Sequence, residues 1–214
     1  MSNPNHRTVA ALVFPEFELL DLYGPLEIYA MLPERFEIHI VTEHAGTVAG
    51  RGGPRIVVDD TFSDGRPYDL LLVPGGPGTR REVDNPVLSG WLREAAARAE
   101  LVTSVCTGAA LLARAGLLDG RKATTNKMAW DWATAQGPEV DWQARARWVE
   151  DGDIFTAAGV SAGIDMTLAV IARLTDQKTA EDVARMAEYD WHRDPGWDPF
   201  AEMAGLAPQA PSRT

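Results

Sequence analysis

The chain has 214 residues, 45% of them hydrophobic, a length that supports one domain burying roughly 70% of the surface its unfolded form would expose. With 20 basic against 31 acidic residues the net charge is −11, a field that repels phosphate backbones and anionic lipid, so neither nucleic acid nor a membrane is an expected partner. A single cysteine excludes an intrachain disulfide and fits a reducing cytoplasm, and no stretch reaches the roughly 20 apolar residues of a membrane span.

The opening MSNPNHRT lacks the basic and apolar runs of a signal peptide and reads as a leader of seven residues. TVAALVF, Thr8 to Phe14, is a short continuous apolar run, as in a parallel strand covered on both faces. Pro15 ends it, and near-helical spacing follows from Leu19 to Met31; with Pro25 in a first turn, a helix is expected from about Pro25 to Leu32. FEIHIVT, Phe36 to Thr42, is the next strand, and a short one is expected at Arg55 to Val58. DLLLV, Asp69 to Val73, is a buried strand that stops at the loop PGGPG, Pro74 to Gly78. Helical periodicity runs from Asn85 to Ala99, with Pro86 in its first turn. The strand ending in Leu101, Val102 and Val105 leads into a helix that ends at Gly116.

KATT, Lys122 to Thr125, reads as a further strand, followed by a helix from about Lys127 to Gln136. Arg147 to Glu150 and Ile154 to Ala158 flank a hairpin turn at Asp151, Gly152 and Asp153. Helices over Ala162 to Thr175 and Thr179 to Tyr189 complete an α/β alternation expected to form a doubly wound, mostly parallel sheet with helices on both faces. One domain is expected over residues 8–194, with 195–214 a Pro- and Ala-rich tail whose last eight residues are mobile. In such a sheet the ligand sits beyond the carboxyl ends of the strands, so four loops should converge on one cleft: Pro15 to Asp21, Pro74 to Gly78, Cys106 to Gly108, and Gly159 to Gly163.

Cys106, the lone cysteine, stands between a strand and a helix. An abrupt turn there leaves the residue strained, with the N–H groups of the first helical turn directed at its side chain. Such placement lowers a thiol from about 8.5 to roughly 3.5–7.5, so an ionised sulfur is expected. A buried structural cysteine is the other reading; the small residues Thr107, Gly108 and Ala109, which let the elbow close, favour the reactive one. Gly75 and Gly76, with the N–H of Thr107, fit an anion or oxyanion hole, or else a simple tight turn. Asp21 follows Leu19 and Leu20 and precedes Leu22, an odd place for a solvated carboxylate; it either caps a helix or faces the cleft. Beside Cys106 it would have its proton affinity raised and act as an acid, with Glu16 and Glu18 as competitors for that role. Four histidines, His6, His39, His44 and His192, have no partner spacing, and no metal-ligand cluster exists beyond the loose set Asp190, His192 and Asp194.

The segments VFPEFELLDLYGPLE, VPGGPG, SVCTGAALLARAGLLDGRKATTN and AAGVSAGIDMTL resemble, in that order and over roughly residues 8–190, the ThiJ/PfpI superfamily (the DJ-one proteins), and within it the isonitrile hydratase branch. The resemblance implies a flavodoxin-like fold, a homodimer, and a nucleophilic cysteine at Cys106 that attacks an isonitrile carbon, water then giving an N-substituted formamide. It places the catalytic aspartate at Asp21 and the neighbouring threonine at Thr107, and it implies neither a metal nor an organic cofactor. Asn126 stands where many relatives carry His, which disfavours Cys-His chemistry. The segment Asp190 to Phe200 departs from the family's tail, and Trp191 or Trp197 is expected at the substrate pocket. Other functions on this scaffold remain alternatives: a redox sensor or stress-protective protein, a glyoxalase-like enzyme or deglycase, and, weakly, the sensing half of a transcription regulator.

Overall fold

The computed structural model describes residues 6–206; the expected mobile end of the tail lies outside the described residues. In chain order the elements are β1 (Arg7–Leu12), α1 (Leu19–Ala30), β2 (Phe36–Thr42), β3 (Thr47–Ala49), β4 (Arg55–Val57), β5 (Asp60–Thr61), β6 (Leu70–Val73), α2 (Thr79–Glu82), α3 (Pro86–Ala96) and β7 (Leu101–Val105). They continue with α4 (Gly108–Arg114), β8 (Lys122–Ala123), α5 (Trp130–Thr134), β9 (Asp141–Trp142), β10 (Trp148–Asp151), β11 (Ile154–Ala157), α6 (Ala162–Leu174), α7 (Gln177–Met186) and α8 (Pro199–Met203). Seven strands form the main sheet in the order β10-β11-β7-β6-β1-β2-β5. All neighbours run parallel except β10, which returns on β11 as a hairpin. The fold is the expected flavodoxin-like α/β sheet.

The strands are central because they are apolar on both faces. All four residues of β6 and all five of β7 are buried, in register Leu70↔Leu101 to Val73↔Ser104. α1 packs on α6, and α3 on α4, so the helices supply the two outer layers. Among the described residues no helix is long and apolar enough to cross a membrane.

Three expectations are corrected. α1 begins at Leu19 rather than Pro25, which sits inside the helix, so Asp21 belongs to the first helical turn. KATT does not join the main sheet: only Lys122 and Ala123 pair, with β9, while the hydroxyls of Thr124 and Thr125 hydrogen-bond to backbone carbonyls. The domain does not stop at Asp194. Arg147 N–H donates to the Pro195 carbonyl (2.8 Å) and Asp198 N–H to that of Arg145 (2.8 Å). Ala201 and Asp198 are buried, so the chain through Leu206 packs on the body.

Candidate active site

The four loops converge as expected. Glu18 N–H donates to the Gly75 carbonyl (2.8 Å) and Gly78 N–H to that of Glu16 (3.2 Å), lacing the first loop to the second. Cys106 N–H donates to the Ala158 carbonyl (2.8 Å), which ties the elbow to the loop after β11. Close approach explains the small residues. A Cβ on Gly75 would lie 2.5 Å from Thr107 N, and one on Gly108 would lie 2.1 Å from the Val73 carbonyl oxygen.

Cys106 has φ +59°, the left-handed strain expected of a residue at a sharp strand-to-helix turn. It borders a cleft of about 500 Å³ that is also lined by Glu18, Arg51, Arg80, Asn126, Met128 and others. A hollow of similar size beside Phe14, Glu43, His44 and Asn85 holds none of the candidate groups. Cys106 is nevertheless only 6% exposed, and here the structure corrects the expected ionised thiol: burial pushes the thiol well above its ordinary value, and Asp21 pushes it further. Hydrogen bonds from Thr107 N–H, the Asn126 side chain and Val160 N–H pull the other way without prevailing. α4, only seven residues long, does not overcome the lost hydration.

Asp21 is fully buried, and desolvation raises its carboxyl to about 8. Oδ2 accepts from Gly75 N–H (2.9 Å), whereas Oδ1 has no hydrogen-bond partner. Thus the thiol that borders the cleft and the carboxyl buried beside it both hold their protons at pH 7. Glu16 and Glu18 are not rivals for that role, being paired with Arg81 and Arg51 at 2.7 Å each.

The expected oxyanion hole at Gly75 and Gly76 is corrected too. Both donors are engaged, Gly75 N–H with Asp21 and Gly76 N–H with Thr107 Oγ1 (3.0 Å). The two glycines position Asp21 and Thr107 instead. Thr107 Oγ1 also lies 3.1 Å from Thr79 Oγ1, so its hydroxyl serves the loop while its N–H serves the sulfur.

Asn126 turns its amide nitrogen to the sulfur because its Oδ1 already accepts from Ala129 N–H (3.0 Å). Gly159 leaves room for it, since a Cβ there would meet Asn126 Nδ2 at 2.9 Å. Neither Trp191 nor Trp197 lines the cleft, contrary to expectation. Trp191 Nε1 donates to the Asp165 carbonyl (3.2 Å) and Trp197 packs on His192; from that segment, Phe200 borders a smaller adjoining hollow. His39 is held by Glu37 and Asp60, at 2.9 Å each. Among the described residues no group of three or more His, Cys, Asp or Glu is placed to hold a metal ion.

Residues 7–173 match the model of the DJ-1/PfpI family. The chain is 36% identical over 183 residues to an isonitrile hydratase of Pseudomonas putida, covering 85% of this chain and 78% of that relative. It is 33% identical over 119 residues to a deglycase of Pyrococcus horikoshii, covering 55% of this chain and 70% of the relative. A crystal structure of a ThiJ/PfpI family protein from Pseudomonas syringae superposes with a TM-score of 0.80 at 35% identity, covering 86% of this chain and 76% of that one.

Proposed function

The chain belongs to the DJ-1/PfpI family, and we propose that within it the protein is an enzyme that hydrates isonitriles, with Cys106 as nucleophile and Asp21 as proton donor. The observation that carries this reading is Asp21: a buried carboxyl raised to about 8, beside a buried thiol, with Oδ1 unpartnered. The carboxyl is within hydrogen-bonding reach of the Cys106 side chain, so its proton can be delivered at the sulfur where the substrate carbon would bind. Adding a thiol across the terminal carbon of R–NC needs one S–C bond and one proton on that carbon. Sulfur attacks the carbon, Asp21 protonates it, and the S–H proton returns to Asp21, giving the thioimidate R–N=CH–S. Water then adds at the same carbon, nitrogen takes a proton, and the thiol leaves as R–NH–CHO forms. The sum is R–NC plus water to the N-substituted formamide.

In this scheme the Thr107 and Val160 N–H groups and the Asn126 amide steady the charge that grows on sulfur as its proton departs. Asn126 takes no proton itself, so the acid–base work falls to Asp21. The reading carries with it a homodimer acting on a small molecule in the cytoplasm, with no organic cofactor.

The test is formamide formation from phenyl isonitrile. Wild type should turn over, Cys106→Ala should be inert, and Asp21→Ala should lose about 10²–10⁴ in rate. Undiminished turnover in either variant overturns the assignment.

A further inference from the structure

The charges around the cleft do not balance. Arg51 Nη1 lies 2.7 Å from Glu18 Oε2, which neutralises both. Asp21 keeps its proton near pH 7, and the thiol is neutral. That leaves Arg80, which no carboxylate approaches within ion-pairing distance among the described residues. Its guanidinium carbon sits 3.7 Å from the centre of the Trp132 ring, and Nη1 donates to Thr79 Oγ1 (3.1 Å). An arginine has five N–H donors, so four remain. A chain of net charge −11 thus holds an uncompensated, pre-oriented cation at the mouth of its cysteine cleft.

We propose that Arg80, laid over Trp132, is a specificity-determining residue that receives a carboxylate on the substrate, so that the preferred substrates are anionic. Stacking holds the guanidinium plane without using its edge, and a planar fork matches a carboxylate in a way a lysine would not. Tethering from both sides also reduces the side-chain entropy that a free surface arginine loses on binding. The cleft of about 500 Å³ is bordered by both Cys106 and Arg80, so one small molecule can reach both. As a statement about isonitriles this rests on the hydratase reading; as a statement about the cleft it does not.

Two arms keep the ideas separate. The first compares iodoacetate with iodoacetamide as alkylators of Cys106, in each of which sulfur displaces iodide and the thiol proton passes to solvent. Any effect of Arg80 on the sulfur itself, or on folding, alters both rates alike and cancels in their ratio. Arg80→Gln should lower the iodoacetate to iodoacetamide ratio about tenfold, as expected for losing one charge-assisted contact at a half-open site. Arg114→Gln, on an exposed arginine paired with Asp84, should leave the ratio alone. The second arm compares kcat/KM for 4-carboxyphenyl and phenyl isonitrile, where Arg80→Gln should cost the carboxylated substrate about tenfold more. An alkylation ratio that is equal in wild type and Arg80→Gln, or that shifts equally with Arg114→Gln, overturns the anion site. If neither isonitrile is turned over, the hydratase reading falls while the alkylation ratio still decides the proposal.

Discussion

A carboxyl group stripped of water without gaining a cation holds its proton, and among the described residues Asp21 has no arginine or lysine partner. Its folded value near 8, against an ordinary 3.8, fixes the sign of a stability effect. Below about pH 4 both folded and unfolded chains carry the proton and the group is neutral toward folding. Above that the unfolded chain releases it first, so the folded state loses stability as pH rises and the loss is complete a little above pH 8. Asp21→Asn should therefore unfold at higher urea than wild type at pH 8, by on the order of 1–3 kcal/mol, with little difference at pH 4. Equal separation of the two curves at both pH values would sink the argument. Catalysis should move with it, kcat/KM falling above about pH 8 as the acid form of Asp21 is lost. The identity of Cys106 and Asp21 as partners was legible in sequence, from an elbow of small residues and an acid amid leucines. The ionisation of the thiol was not, because a helix start is visible in a string of residues whereas the depth of burial that outweighs it is not.

Glycine at the elbow is a packing requirement of α4, which presses its first turn against the end of β6. A methyl group on Gly108 would stand 2.1 Å from the Val73 carbonyl oxygen and 2.9 Å from that of Pro74, both backbone atoms that cannot turn aside. Gly108→Ala should cost about 2–4 kcal/mol in thermal or denaturant unfolding and, by displacing α4, slow alkylation of Cys106 as well. Central strands are readable because they are predominantly apolar between turn residues; β1, β2, β6 and β7 fall within a residue or two of expectation. The start of α1 is not legible, because Pro25 marks a helix start by propensity while in the fold it sits in the interior of α1, where it forgoes one i→i−4 hydrogen bond and tertiary packing overrides local preference. β3 escaped notice, three residues with one buried, since its pairing with β4 depends on a turn rather than on periodicity. Asn126 was visible as a substitution for histidine, but its amide contact with sulfur depends on a 3₁₀ turn at Lys127–Ala129 that it caps.

At the scale of the molecule, a buried ionic cluster clasps the C-terminal segment to the body. Arg147 meets Asp165 Oδ2 through Nε and Nη2, both at 2.7 Å. Asp165 Oδ1 also takes Tyr189 OH (3.1 Å) and His192 N–H (2.9 Å), and Asp198 lies 3.9 Å from Arg147. Asp165→Ala leaves buried Arg147 with only the more distant Asp198 as counter-charge and should destabilise the fold by about 2–4 kcal/mol in urea titration. Asp198→Ala removes a helix cap as well as a charge and should cost about 1–2 kcal/mol. Composition alone hid this clasp, because Pro, Gly and Ala resemble a loose tail whether or not an aspartate among them meets a buried arginine.

The main sheet itself ends in a two-residue strand, β5, on one side and in the hairpin strand β10 on the other. At the end of β10 side chains crowd the margin: Lys122 N–H donates to Asp151 Oδ2 (2.7 Å), and Arg121 reaches the Asp151 carbonyl (3.1 Å) and Asp153 (2.6 Å). Among the described residues both border strands are short, two residues in β5 and four in β10, which limits the ladder onto which another chain could zip and so the risk of edge-to-edge stacking. Two copies that associate will therefore meet through helical or loop surfaces, and mixing differently tagged copies should never yield a continuous intermolecular sheet.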